Sequence, residues 1–472
     1  ILTKGLNQNI INFFKHKFFT LLFFLIYVGC NKDQSITEND IESLDDIQSE
    51  EDSEFDTSKI FIPYEDFLDD WSWERSKQSE NFIVFWEPGF GKDPNDESVP
   101  VDFRFDVDLL LDKLDYYYQV HRNELSFFDI NNTLLNQYKI MVFVHYSLDY
   151  GAFGAGYEDT IGAFWIDPNS LNPIRTAVAH ELGHAFQYQV RCDLGTSGYR
   201  WGFGENGSGG NTYWESTAQW QAFQCEPEYI SDGVYGYVAE AHNHFLDEIH
   251  RYESYWMHYY WSSIHSKEII SRIWRETIEN EDPAETYMRI TDTNTQNFFL
   301  QLFEGSRKFV TWDIGEIKER MKDFIGIHRI GLELIDGKYV IDPNFAPETT
   351  GYNVIELSIP DSNNLKIEFQ GLINDNYFTI EEQESISGWN IGVVSILENG
   401  NRFYGETSSI NGHSPYTFNQ DIPESSERLW LVISPAPKRY FKHEWDEDQD
   451  NDIQWPYSLS IDENIQILNL VD

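Results

Sequence analysis

The chain has 472 residues, 33 Lys and Arg against 80 Asp and Glu, and a formal net charge of -47. That excess of acid argues against nucleic acid as a partner, because phosphate binding is driven by basic patches and counterion release. A hydrophobic share of 41% with 16% aromatics excludes global disorder, and the length corresponds to roughly two to three domains.

Residues 1–29 carry Lys4, Lys15 and Lys17 and no acid, and the apolar run from Phe18 ends at Gly29 and Cys30. A basic start with a short apolar stretch reads as a secretory signal rather than a spanning helix. Gly29 before Cys30 resembles the cleavage box of bacterial lipoproteins, although Tyr27 stands where that box has an aliphatic residue. The resemblance implies that Cys30 becomes a lipidated first residue. The chain would then sit in the bacterial cell envelope, on the outer-membrane surface, touching the membrane through the lipid alone. An ordinary signal peptide with an incidental Cys30 is the alternative. Losing three lysines with residues 1–29 takes the formal charge from -47 to -50. Residues 30–59 are rich in Asp and Glu and nearly free of aromatics. They cannot bury enough apolar surface to offset ordering entropy and read as a flexible acidic tether.

Asn81 to Trp86 is β-branched and aromatic and stops at Pro88-Gly89, the pattern of a strand. Leu110, Leu114, Tyr117 and Tyr118 recur at helical spacing within 106–125. Tyr138 to Val144 is a second strand, Gly151 to Gly156 a loop, and Ile161 to Ile166 a third strand closed by Asp167-Pro168. A helix is expected from about Pro173 to Val190, and on it lies His180-Glu181-Leu182-Gly183-His184. Residues i and i+4 share one helix face, so both imidazoles can reach one ion at about 2.0–2.1 Å. Glu181 projects beside that position and can take a proton from water there. The alternative is a helix whose histidines are buried and hydrogen-bonded without a metal.

A catalytic zinc needs a third protein ligand and an open position. Glu215 is the candidate, in a second helix with Trp214, Ala218, Trp220, Ala222 and Phe223. A carboxylate buried in that company needs a compensating cation, unless it merely caps or pairs near a helix start. The two segments together resemble the gluzincin class of zinc metallopeptidases. They are also similar to a family of secreted bacterial proteins of unknown function, through Ser79 to Trp86, Ala179 to Gln187 and Trp214-Glu215-Ser216. The resemblance covers roughly residues 70–330. It implies His180, His184 and Glu215 as zinc ligands and Glu181 as general base, and it supplies no substrate.

Between the two helices, Gly195 to Asn211 holds seven glycines and could line or close a cleft. With Cys30 lipidated, Cys192 and Cys225 remain as an expected disulfide, worth roughly 3–4 kcal/mol in the chain-entropy picture. Two buried free thiols are the alternative. A helical region follows from about 234 to 330, rich in His and Tyr, and one of these is expected to donate to the substrate oxyanion. His244 and Tyr255 are the preferred candidates.

From about residue 345 the apolar pattern becomes short and alternating, as in Val354 to Leu357, Leu365 to Phe369, Ile391 to Val394 and Leu429 to Ile433. That spacing indicates an antiparallel sandwich. Asp446, Asp448, Asp450 and Asp452 alternate as calcium loops do, without the turn glycine. Calcium is a second candidate cofactor beside zinc, and a solvated hairpin tip is the alternative. The expected fold class is α+β: a zincin-like catalytic domain over 60–335 and a β-sandwich over 345–472. The expected activity is zinc-dependent cleavage of a protein or peptide substrate, glycoproteins included. A non-catalytic protein- or glycan-binding lipoprotein on the same scaffold is the rival.

Overall fold

A computed structural model of the chain describes residues 56–195, 210–373, 376–443 and 448–471. Cys30, the signal segment and most of the tether lie outside these residues, as do Asp446 and most of the glycine-rich segment after Gly195. The described part is a mixed α+β structure with one mixed and two antiparallel sheets.

The first sheet takes β1 (Ser76–Gln78), β2 (Phe82–Trp86), β3 (Ile140–Val144), β4 (Ala152–Tyr157) and β5 (Ile161–Ile166) in the order β1-β2-β3-β5-β4. β2, β3 and β5 run parallel, and every residue of β2 and β3 is buried. This is why those segments are apolar without alternation: a parallel strand covered on both faces has no solvent side. The helix α1 (Val107–Gln119) starts where Asp106 accepts from the Asp108 and Leu109 amides, and it buries Leu110, Leu111, Leu114, Tyr117 and Tyr118.

Gly151 to Gly156, expected as a loop, is largely the edge strand β4, antiparallel to β5. Its glycines are there for close approach. A Cβ on Gly154 would stand 2.5 Å from both the Glu181 carbonyl oxygen and His184 Cβ, and one on Gly156 would lie 2.2 Å from the Tyr188 ring. The strand thus rests directly on the helix that follows, α2 (Thr176–Leu194), whose partner is α3 (Gly210–Cys225). These two run antiparallel, since His180 meets Gln219 while Gln187, two turns further on, meets Trp214.

Four more helices of at least eight residues fill the region expected to be helical: α4 (Trp256–Ile264), α5 (Glu268–Glu276), α6 (Pro283–Ile290) and α7 (Thr295–Thr311). No helix among the described residues is long and apolar enough to cross a membrane.

The remaining strands form two antiparallel sheets. One takes β8 (Asn353–Leu357), β10 (Gly388–Leu397), β11 (Arg402–Tyr404), β12 (Ser408–Asn411) and β14 (Ser426–Pro435). The other takes β6 (Leu332–Ile335), β7 (Lys338–Ile341), β9 (Asn364–Gly371), β13 (Tyr416–Asp421) and β15 (Tyr457–Ile461). Ile355, Ile391, Val393, Leu429 and Leu431 of the first sheet share a core with Leu365, Ile367, Phe369 and Leu459 of the second. The outer faces differ. β9 alternates buried Ile367 with exposed Lys366 and Glu368, so its other side meets water. β10 is buried on both sides because α7 covers its outer face: Asn390 Nδ2 donates to the Phe299 carbonyl at 3.3 Å, and Arg307 Nη1 to that of Gly405 at 2.7 Å. Pairing of β7 with β15 carries the sheet that holds β9 back to Leu332, ahead of the expected boundary at 345. The core of the first sheet also runs on to Val354, Val394, Trp430 and Val432. Helical and sandwich regions are therefore parts of one packed unit, Phe55–Asp472.

Candidate metal centre

α2 is buried almost throughout from Val178 to Gln187 because β4 and β5 cover one side and α3 another. His180 and His184 lie one turn apart and face α3, where Glu215 faces them. Both Nε2 atoms approach one carboxylate oxygen, Glu215 Oε2, at 3.1 and 3.2 Å. The other ring nitrogens are held by amides, His180 Nδ1 by Gln219 Oε1 at 3.0 Å and His184 Nδ1 by Gln187 Oε1 at 2.8 Å. Gln187 has a fixed orientation, since its Nε2 donates to the Trp214 carbonyl at 2.9 Å. Its oxygen therefore accepts from His184, and a neutral His184 keeps a bare lone pair on Nε2, aimed at a carboxylate oxygen.

Facing lone pairs at that distance are relieved by protons on the imidazoles or by a cation held between the three groups. Two zinc–ligand bonds of about 2.0–2.1 Å at a tetrahedral angle separate their ligand atoms by about 3.3 Å, so the three donors fit such an ion. Burial would raise the Glu215 carboxyl, but the two imidazoles outweigh it and hold the group at about 2. Among the described residues, its only ion-pair partners are those imidazoles. Replacing the half-buried Gln219 (Gln219→Leu) removes the acceptor that orients His180. Zinc affinity, measured by competition with a chromogenic chelator, is expected to fall by about 10–100-fold.

Glu181 is buried beside the ligands. Burial, reinforced by the charge of Glu215 and opposed by His180, pushes its carboxyl up to about 7, and the Gly154 amide donates to it. It therefore sits between the three converging side chains and β4, able to exchange a proton near neutral pH. Two tyrosines flank the group. The Tyr252 ring is 6.1 Å from that of His180. Burial, then the nearby Glu215 and Glu181, holds its hydroxyl well above the ordinary 10. Tyr150, 44% exposed, stacks on His145 at 3.9 Å, and partial burial, with Glu87 and Glu181 nearby, raises its hydroxyl to about 12.

The structure thus brings His180, Glu181, His184 and Glu215 together and leaves other expected site residues elsewhere. Tyr255 directs its hydroxyl to the carbonyls of Ile230 and Asp232, at 2.9 and 2.5 Å, and is fully buried there. It has no proton to offer a substrate. His244 is buried among other partners: its Nδ1 accepts from the Leu246 amide and its Nε2 faces the Tyr440 hydroxyl at 3.3 Å. Tyr252 replaces both as the candidate oxyanion donor.

Cys192 and Cys225 are free buried thiols, not a disulfide. Each stands at the C-terminal end of its helix, and antiparallel packing of α2 on α3 sets those ends at opposite extremes of the pair. The calcium pattern also resolves differently. Asp448 and Asp450 are exposed, and Asp448 caps a short turn by accepting from the Asp450 amide, whereas Asp452 turns inward. Gln187 and Gln219 escaped the sequence reading. The available signal is their position, an amide side chain one turn beyond His184 and one turn beyond Glu215 on the same helix face.

The chain belongs to a family of unknown function, DUF6055, which matches residues 52–466. No curated protein matches it. Among solved structures it is similar to the C-terminal family 22 carbohydrate-binding module of Clostridium thermocellum Xyn10B, with 9% identity, 26% of this chain and 60% of that one covered, and a TM-score of 0.13. A second is the N-terminal module pair of C. thermocellum endo-1,4-beta-D-xylanase 10B, with 6% identity, 28% and 23% covered, and a TM-score of 0.16. The chain therefore spans less than two thirds of each of these two. A third is a functionally unknown conserved protein from Bacillus anthracis str. Ames, with 12% identity, 71% and 72% covered, and a TM-score of 0.29. Likenesses this slight carry no argument about fold or ligand.

Proposed function

We propose that this family member is a zinc metallopeptidase whose sheet β1-β2-β3-β5-β4 and helices α2 and α3 form a zincin-like catalytic region. The observation that carries the reading is the convergence of His180 Nε2, His184 Nε2 and Glu215 Oε2 with the Glu181 carboxyl beside them. A purely structural metal site has no use for that free carboxyl. A zinc ion, when bound in such a site, supplies Lewis acidity toward a carbonyl oxygen and makes water more acidic.

The chain's own groups perform the rest. Glu181 accepts a proton from the attacking water and returns it to the departing amine, a role suited to a carboxyl near 7. Tyr252 donates to the oxygen that gains charge as the carbonyl becomes tetrahedral. Among the described residues the edge strand β4 pairs only with β5, so its other edge offers amides and carbonyls to an extended peptide lying past Glu181. Phe153 on that strand is exposed and offers apolar contact to a substrate side chain.

The test is cleavage of a panel of denatured proteins by the full chain, before and after chelation, and by His180→Ala. Cleavage is expected to vanish on chelation, to return with zinc, and to be absent in His180→Ala. Undiminished cleavage by the chelated protein would sink the reading. Tyr252→Phe is expected to lower kcat by about 10²–10³-fold with KM little changed, the signature of a donor used in the transition state. Steady-state kinetics on a quenched fluorescent peptide cut by the wild type checks this.

A further inference from the structure

Away from His180 and Glu215, a second group of buried ligand-type side chains has no explanation in peptide cleavage. One atom each of Asp247, Glu348, His443 and Asp452 lies within 4.8 Å of the others, and all four side chains are buried. They come from three distant stretches. Asp247 caps the short turn Glu248–His250 in the helical region. Glu348 lies between β7 and β8, while His443 and Asp452 lie between β14 and β15.

Several atoms are left without a hydrogen-bond partner. They are Oδ2 of Asp247, Oδ2 of Asp452 and Nδ1 of His443, on side chains 0%, 8% and 6% exposed. His443 Nε2 stands 3.0 Å from Asp452 Oδ1, and its Nδ1 is 3.7 Å from Glu248 Oε2. The opposite carboxylate oxygens are engaged and hold the groups in position. Asp247 Oδ1 accepts from the Ile249 amide at 2.8 Å and Gln449 Nε2 at 3.0 Å, and Glu348 Oε2 accepts from the His244 amide at 2.6 Å.

Asp247 and Asp452 alone carry more negative charge than the one ring of His443 can balance, and burial with those two carboxylates nearby holds the Glu348 carboxyl well above its ordinary range. Unpaired ions are costly to bury. A divalent cation balances the charge and engages the orphan atoms together. The donors are mixed nitrogen and oxygen, which suits zinc or manganese, whereas calcium and magnesium take oxygen donors. Four protein donors, all buried, describe a closed structural site rather than a catalytic one with an open position.

We infer that Asp247, Glu348, His443 and Asp452 form a second divalent-metal site, of the zinc or manganese class, that ties the helical region to the loops of the sandwich. It does not rest on the peptidase reading, since none of its ligands belongs to the first centre.

The experiment uses the full chain carrying His180→Ala, which silences the first centre. The protein is stripped with chelator and given zinc, manganese or calcium separately. Metal content is read by mass spectrometry and the unfolding midpoint by scanning fluorimetry. One equivalent of zinc or manganese is expected to remain bound through desalting and to raise the midpoint. His443→Ala in the same background is expected to lose that equivalent. Asp452→Asn, which keeps the volume of the side chain, serves the same purpose should the alanine variant not fold. No retained metal, a midpoint raised by calcium alone, or a full equivalent kept by the variants would each overturn the inference. Failure of the first centre shows separately, as wild-type protein that does not cleave.

Discussion

Glu181→Gln is expected to lower protein cleavage by about 10³-fold while leaving the first centre loaded with zinc. General acid–base participation contributes about 10²–10⁴ in rate, and a factor of 10³ corresponds to about 4 kcal/mol of barrier. The amide keeps the volume of the side chain and an oxygen that accepts from the Gly154 amide, but it cannot take a proton from water. The metal ligands are untouched, so zinc content should equal that of wild type. Equal cleavage by the two forms would remove Glu181 from the mechanism.

The same variant makes a second, independent statement about stability. Burial raises the folded-state value of Glu181 from the ordinary 4.5 to about 7. A raised carboxyl contributes its stability in full below 4.5 and loses it as pH climbs through 7. Metal-free wild type should therefore lose midpoint temperature over that window more steeply than metal-free Glu181→Gln. Parallel pH curves for the two proteins would contradict the burial argument even if cleavage behaved as expected.

Gly154→Ala should damage the site without touching a ligand. Its new methyl would meet the Glu181 carbonyl oxygen and His184 Cβ, both at 2.5 Å, so it meets helix backbone rather than a flexible side-chain tip. Either β4 or α2 must move. Overpacking of this kind costs about 1–3 kcal/mol, and a displacement near 1 Å at a catalytic group can cost about 10² in rate. Both a lower unfolding midpoint and a lower kcat are expected. Gly315→Ala is the control, because a Cβ there meets nothing within 4 Å. Stability and activity unchanged in Gly154→Ala would mean that β4 does not brace α2.

These outcomes bear on how much could be read from the chain alone. His180, Glu181 and His184 were legible because the chemistry demands neighbours on one helix face, and that spacing is local. Glu215 was legible for a different reason: a carboxylate among tryptophans has to be neutralised by something. The sandwich strands were legible through alternation, most clearly in β9, whose two faces meet different surroundings. β4 was misread because glycine speaks for a loop when its neighbours are unknown, and for a strand once a helix lies against it. The cysteines were misread because linear distance from the ligands says nothing about the sense in which two helices run.

Whatever depends on neighbours within a turn or two was thus available from residue order. Groups brought together across long stretches of chain were not. Gln219 on His180 and Tyr252 beside the ligands are such cases, as is the Asp247, Glu348, His443 and Asp452 cluster. Each joins segments whose separation in the chain hides their contact, and only packing of α3, the helical region and the sandwich loops into one unit determines which polar atoms meet.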